Sequence, residues 1–168
     1  MSISAFDHIH LYAADPEQTM AFYQRHFGAE RLGALPTADG PNNFLILGGQ
    51  IMVVAHFPPG VEAGEAPGDG ATGTRSGFGV GHIGLNVDGL DRLVARLEAA
   101  GVPVHGKPTL SGPIRYVYCD APDGVTIELT EYVLPRHLKP AAVFLRGFNK
   151  SVHLTKRALA RTLLATSR

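Results

Sequence analysis

Along this chain, short runs of alternating apolar and polar residues give way to helical spacing, and the succession occurs twice. Phe6-Asp7-His8-Ile9-His10-Leu11 and Val80-Gly81-His82-Ile83-Gly84-Leu85 share His-Ile-x-Leu in a two-residue period, which predicts a strand at each place. An acid follows each, Asp15 or Asp88, and then a helical stretch. The first helix is predicted from Asp15 as N-cap and Pro16 as first helical residue to a stop at Gly28, with Ala21, Phe22 and Phe27 on the buried side. The second is predicted over about Leu90 to Ala100, with Leu93, Val94 and Leu97 inward and a stop at Gly101.

After each helix the period returns to two. The predicted strands are Glu30–Leu35, Asn43–Leu47 and Gln50–His56 in the first half, and Pro103–Gly106, Ile114–Cys119 and Val125–Tyr132 in the second. Each half therefore reads β-α-β-β-β. One such unit buries its helix and sheet face poorly, and two combine better. The expected fold is α+β: two modules forming a curved eight-stranded sheet around a metal-binding cleft, plus a C-terminal helical tail. Residues 1–132 make one domain, with module one at 5–57, a Gly/Pro-rich loop at 58–79 and module two at 80–132. The loop reads as a linker or as a lid over the cleft. The tail is 133–168, helical over Ser151–Ala165.

Composition narrows the class. At 168 residues and 45% hydrophobic, the chain builds a real core. A single cysteine, Cys119, excludes an internal disulfide framework. The start Met1-Ser2-Ile3-Ser4 has neither the basic nor the apolar region of a signal peptide, and no apolar run nears the roughly 20 residues of a membrane span, so the expectation is a cytoplasmic protein not associated with membrane. The zero formal charge hides a segregation. Residues 1–132 hold seven Lys and Arg against fifteen Asp and Glu, whereas 133–168 hold eight Lys and Arg and no acid. Docking of the tail on an acidic body, its own or a partner subunit's, is favoured over nucleic acid or lipid, because apolar residues are spread through it. No phosphate-loop pattern is present.

The repeat also organises the chemistry. Its two first strands offer His8 and His82 at equivalent positions, and the last strand of module two offers Glu128. Aligning Ile51-Met52-Val53 with Ile127-Glu128-Leu129 puts Met52 at the matching place in module one, and a thioether is a poor ligand for a hard metal. Two histidines and a carboxylate leave positions open for substrate on Fe, Mn, Zn, Ni or Co. His10 shares a strand face with His8 and is an alternative ligand, a supporting partner or a proton carrier. Tyr118, if it faces the cleft, donates a hydrogen bond to a substrate oxygen; Tyr116 would share its face. Arg115 reads as a surface charge. His26, His56, His105, His137 and His153 read as surface or structural.

The runs Asp7-His8-Ile9 to Asp15 with Phe22-Tyr23 and Phe27-Gly28, then Gly81-His82-Ile83, then Asp123-Gly124-Val125-Thr126-Ile127-Glu128-Leu129 resemble the vicinal oxygen chelate superfamily (glyoxalase, bleomycin-resistance and extradiol dioxygenase proteins) over about residues 5–132. The resemblance implies paired β-α-β-β-β modules, a metal in the cleft and a homodimer. Glyoxalase I and methylmalonyl-CoA epimerase carry a fourth ligand where Met52 stands. Fosfomycin thiol transferases use two histidines and a glutamate, and Tyr118 falls on a tyrosine of their pattern. The extradiol signature matches Tyr118 through Pro122 and Gly124 to Glu128, but Thr109–Ser111 stand where its preceding histidine is expected.

The function expected is therefore that of a metal-dependent isomerase, epimerase or lyase acting on a small oxygenated substrate through a metal-stabilised enolate. His8, His82 and Glu128 would hold the ion; His10, Tyr118 and Glu128 would serve catalysis. The alternatives are an Fe(II) extradiol-type dioxygenase, and an antibiotic-resistance thiol transferase or metal-free drug-binding protein.

Overall fold

A computed structural model of the chain describes residues 7–57, 59–60, 81–135 and 139–166. The expected loop at 58–79 lies, apart from Pro59 and Gly60, outside them, as does His137. By its contacts the chain divides into a unit of residues 1–63 with 140–168 and a unit of residues 64–139.

The first unit holds β1 (His8–Tyr12), α1 (Pro16–Phe27), β2 (Glu30–Leu35), β3 (Asn42–Leu47), β4 (Gln50–Ala55) and a long C-terminal helix, α3 (Lys139–Thr166). The second holds β5 (Ile83–Asn86), α2 (Leu90–Ala99), β6 (Val104–Ser111), β7 (Ile114–Asp120) and β8 (Thr126–Tyr132). Among the described residues, eight strands form two four-stranded sheets of the same topology, β1-β4-β3-β2 and β5-β8-β7-β6. In each, the first strand runs parallel to the last and the others are antiparallel.

The local reasons are visible in the sequence. The Asp15 carboxylate accepts the Gln18 N–H at 3.0 Å and Pro16 follows it, so α1 starts there. Gly28 takes the left-handed conformation at φ 71°, which a glycine adopts without strain, and its N–H closes the last turn. The buried stripe of α1 differs from the one predicted. Pro16, Thr19, Met20, Tyr23 and His26 face inward, Ala21 is exposed, and Phe22 and Phe27 are half-buried. Helix α2 buries Leu90, Val94 and Leu97, with Leu93 half-buried. Strand β6 runs beyond the predicted Gly106. Its ladder shifts between His105 and Thr109 and then resumes opposite Tyr116 and Arg115. Pro108 is tolerated in that irregularity because β6 is an edge strand.

Each module buries its core between helix and sheet. Leu45, Ile46, Met52 and Val54 are buried with Met20 and Tyr23 in module one; Val117, Cys119, Ile127 and Leu129 are buried with Leu90 and Leu97 in module two. Arg115 is not an isolated surface charge. It bonds Asp91 at 2.6 and 3.0 Å and Glu131 at 3.0 Å. The other Glu131 oxygen accepts the N–H groups of Gly89 and Leu90 at 2.7 and 3.3 Å. Gly89, the N-cap of α2, has no side chain to cap the helix, so a strand carboxylate does it.

Helix α3 is much longer than the predicted 151–165 and lies against module one. His153 accepts the Gly49 N–H through Nδ1 at 3.1 Å and meets Glu30 through Nε2 at 3.3 Å. Arg157 and Arg161 converge on the same Glu30 carboxylate at 3.2 and 3.7 Å. Leu164 is buried against Gly33, where an added Cβ would lie 3.3 Å from its methyl carbon. His153 is thus structural, as are His26, buried beside Phe22, and His105, held by Asp120 at 2.7 Å. Among the described residues no helix is long and apolar enough to cross a membrane.

Candidate metal and substrate site

The parallel strand pair of each module positions its candidate residues. In module two, Gly84 pairs with Glu128 in register, so His82, two residues earlier, points to the Glu128 face. His82 lies just ahead of β5 rather than within it. Its Nε2 stands 3.3 Å from Glu128 Oε2. Tyr118 pairs with Glu128 across β7 and β8, and its ring meets the His82 imidazole edge-on at 5.5 Å. Tyr116 continues the aromatic row, 5.7 Å from Tyr118. Burial raises the Tyr118 phenol above its ordinary pKa, and the charge of Glu128 together with a hydrogen bond to it raises it further. The hydroxyl therefore stays protonated as a donor.

In module one, His8, His10 and Tyr12 share one strand face. His8 Nδ1 meets Asp7 Oδ2 at 2.7 Å, which fixes that nitrogen and leaves Nε2 for other work. His10 has no such partner among the described contacts; its ring stacks 4.9 Å from Tyr12, which lies 5.0 Å from Phe57. Desolvation, then the nearness of His8, lowers the His10 pKa, so its imidazole is neutral near pH 7.

The registers confirm that His8 and His82 are equivalent and correct the matching of the last strands. Each histidine precedes an isoleucine; Ile9 pairs with Met52 and Ile83 with Ile127. Met52 therefore corresponds to buried Ile127, and the residue corresponding to Glu128 is Val53. Valine has no donor atom, so the module-one counterpart of Glu128 offers nothing to a metal. Within either module, no three His, Cys, Asp or Glu side chains among the described residues are grouped to hold an ion. Module two brings together His82, Glu128 and Tyr118; module one carries His8 and His10.

Sequence reasoning passed over Asp7, although an acid directly before a strand histidine is the signal of a carboxylate–imidazole pair. It also passed over Tyr12 and Phe57. Alternation from His8 through His10 would have placed Tyr12 on the same face.

A family model described as the Glyoxalase/Bleomycin resistance protein/Dioxygenase superfamily matches residues 5–129. A search of curated protein sequences gave no match. Among solved structures, the chain is similar to TnmS3, an antibiotic binding protein from Streptomyces sp. CB03234, at 25% identity over 79% of this chain and 98% of that one, with a TM-score of 0.59. It is also similar in fold to FosX, a genomically encoded fosfomycin resistance protein from Listeria monocytogenes, at 24% identity over 79% and 97% of the two chains, TM-score 0.57. A FosX structure complexed with Mn(II) and sulfate gives 22% identity over 82% and 100%, TM-score 0.57. With two β-α-β-β-β modules and a family match over most of its length, the chain belongs to the Glyoxalase/Bleomycin resistance protein/Dioxygenase superfamily.

Proposed function

We propose that this protein is a metal-dependent enzyme that holds a divalent ion through His8, His82 and Glu128. It would act on a small oxygenated substrate as an isomerase, epimerase or lyase, in a homodimer. The observation that carries the reading is the pairing of His82 Nε2 with Glu128 Oε2 at 3.3 Å, with Tyr118 against both. An imidazole nitrogen and a carboxylate oxygen on one sheet face form a donor pair suited to Mn, Fe, Co, Ni or Zn. Asp7 prepares His8 in the way carboxylates orient ligating histidines. FosX, of the same fold, is described in complex with Mn(II).

Bound there, the ion would polarise a substrate oxygen as a Lewis acid. The protein's own residues do the rest. His10, neutral because of its surroundings, accepts a proton from substrate carbon and returns it. The single O–H of Tyr118, hydrogen-bonded to Glu128 in this structure, would turn to a substrate oxygen as charge develops there. Val53, the module-one counterpart of Glu128, supplies no further charged ligand.

Metal content of protein purified without added metal tests the reading. We expect stoichiometric metal in the parent and its loss in His8→Ala, His82→Ala and Glu128→Ala. Zinc, nickel, cobalt or manganese fits the isomerase or lyase, and iron with O₂-dependent turnover replaces it with the dioxygenase. No metal in the parent, and none taken up on titration, removes the ligand assignment.

One observation favours a second reading, a protein that sequesters a drug without metal. The exposed ring row Tyr12–Phe57 offers a stacking surface, and TnmS3 is described as antibiotic binding. Aromatic-ligand binding that survives chelation and the Glu128→Ala change would establish it.

A further inference from the structure

Helix α3 has two unlike faces. One docks on module one through His153, Arg157, Arg161 and Leu164. The other carries Phe144, Phe148, Leu159 and Leu163, which are 74%, 58%, 59% and 56% exposed. Helical spacing puts these four on one stripe with Ser151, Val152, Thr155 and Thr162. No charged residue falls on it. Its hydroxyls turn back into the helix: Ser151 donates to Gly147 O at 3.1 Å, Thr155 to Ser151 O at 3.0 Å and Thr162 to Ala158 O at 3.1 Å. A hydroxyl satisfied by its own backbone makes little demand for water. The stripe is therefore apolar in effect over its described residues from Phe144 to Leu163.

We infer that this stripe is the surface on which two copies of the chain pair, α3 against α3 in antiparallel register. The spacing selects a second copy as occupant. Phe144 and Phe148 stand as far before a point between His153 and Leu154 as Leu163 and Leu159 stand after it. An antiparallel partner related by a two-fold axis at that point sets Phe144 opposite Leu163 and Phe148 opposite Leu159, with Val152 opposite Thr155. Each end of the stripe presents aromatic rings to branched aliphatic chains, and every contact occurs twice, as a two-fold interface requires. Charge agrees. The helix has no acid, so helices meeting through their basic sides would repel; here Arg157 and Arg161 are turned to Glu30 and the meeting faces are neutral. Area agrees too. The exposed parts of four large side chains from each copy, at roughly 100 Å² apiece, with the small residues between them, approach the order of 1,000 Å², the lower bound for a specific interface. The inference rests on the homodimer of the proposed function and names its surface; it does not depend on the chemistry proposed at the metal site.

Phe148→Cys and Leu159→Cys test the register. Cys119 is buried and does not compete. On oxidation, an equimolar mixture of the two variants should form at least fivefold more crosslinked dimer than either alone, because Phe148 faces Leu159 and not its own copy. The exposed change Phe148→Glu should convert a dimer into a monomer by light scattering without altering the far-UV circular dichroism. No excess crosslinking in the mixture, or a Phe148→Glu protein that stays dimeric, overturns the inference. So does a monomeric parent that binds vesicles of phosphatidylserine and phosphatidylcholine through this stripe, which would make a lipid surface the occupant.

Discussion

Among single residues, Tyr118 carries the sharpest expectation. Its phenol stays protonated because burial and the Glu128 charge both oppose ionisation. It therefore has a proton to donate, and on the proposed reading the acceptor is a substrate oxygen. A hydrogen bond to a developing charge contributes about 1.5–3 kcal/mol, so Tyr118→Phe should lower kcat/KM by about tenfold to a hundredfold. Metal content should not change, because the hydroxyl is not in the ligand set. Steady-state kinetics and metal analysis on the same sample check both halves. The residue scale also shows where pattern reading stops. The equivalent placement of His8 and His82 was legible because a repeat doubles the signal of any one histidine. The one-residue error at Met52 arose because Ile-Met-Val and Ile-Glu-Leu align on their first letters, whereas the phase of a strand is set by its hydrogen-bonded neighbour.

Among the elements, those with chemical punctuation were read correctly from the chain. Asp15-Pro16 and Gly28 bracket α1, and Gly48-Gly49 join β3 to β4. The inward face of α1 was not legible, because Thr19 and His26 are buried in it while the more hydrophobic Phe22 and Phe27 sit at its margin. Hydrophobicity alone does not set helical phase when the buried stripe includes a hydroxyl and an imidazole. The cap of α2 was equally hidden, since its acceptor, Glu131, lies 42 residues from Gly89. Glu131→Ala should cost about 1–2 kcal/mol by orphaning two N–H groups at the helix start. Urea unfolding of module-two variants measures it, and a loss below about 0.5 kcal/mol would mean that water replaces the carboxylate fully. The length of α3 escaped prediction because Gly147 interrupts its apolar spacing, although the helix runs through it.

For the molecule as a whole, alkaline stability is the accessible test. A cysteine in an unfolded chain has a pKa of about 8.5. Burial in module two, and secondarily Asp120, push the Cys119 thiol up to about 12. The folded protein thus keeps a proton that the unfolded chain releases. Its contribution to stability is whole below about pH 8.5 and diminishes as pH rises from there toward 12. Between pH 8 and 10 the parent should lose about 2 kcal/mol more than Cys119→Ala, as measured by paired urea titrations. Equal slopes for the two proteins would show that the thiol is reached by water without unfolding.

Val53 has a consequence for how such a molecule changes over generations. A valine codon becomes an aspartate or glutamate codon by one base change, so the residue corresponding to Glu128 is a single mutation from a second carboxylate. That position is only 3% exposed. A carboxylate there would be strongly disfavoured without a cation beside it. With the proposed ion in place, the mutation would tie folding to metal supply, and a lineage would cross that step only where the ion is never scarce.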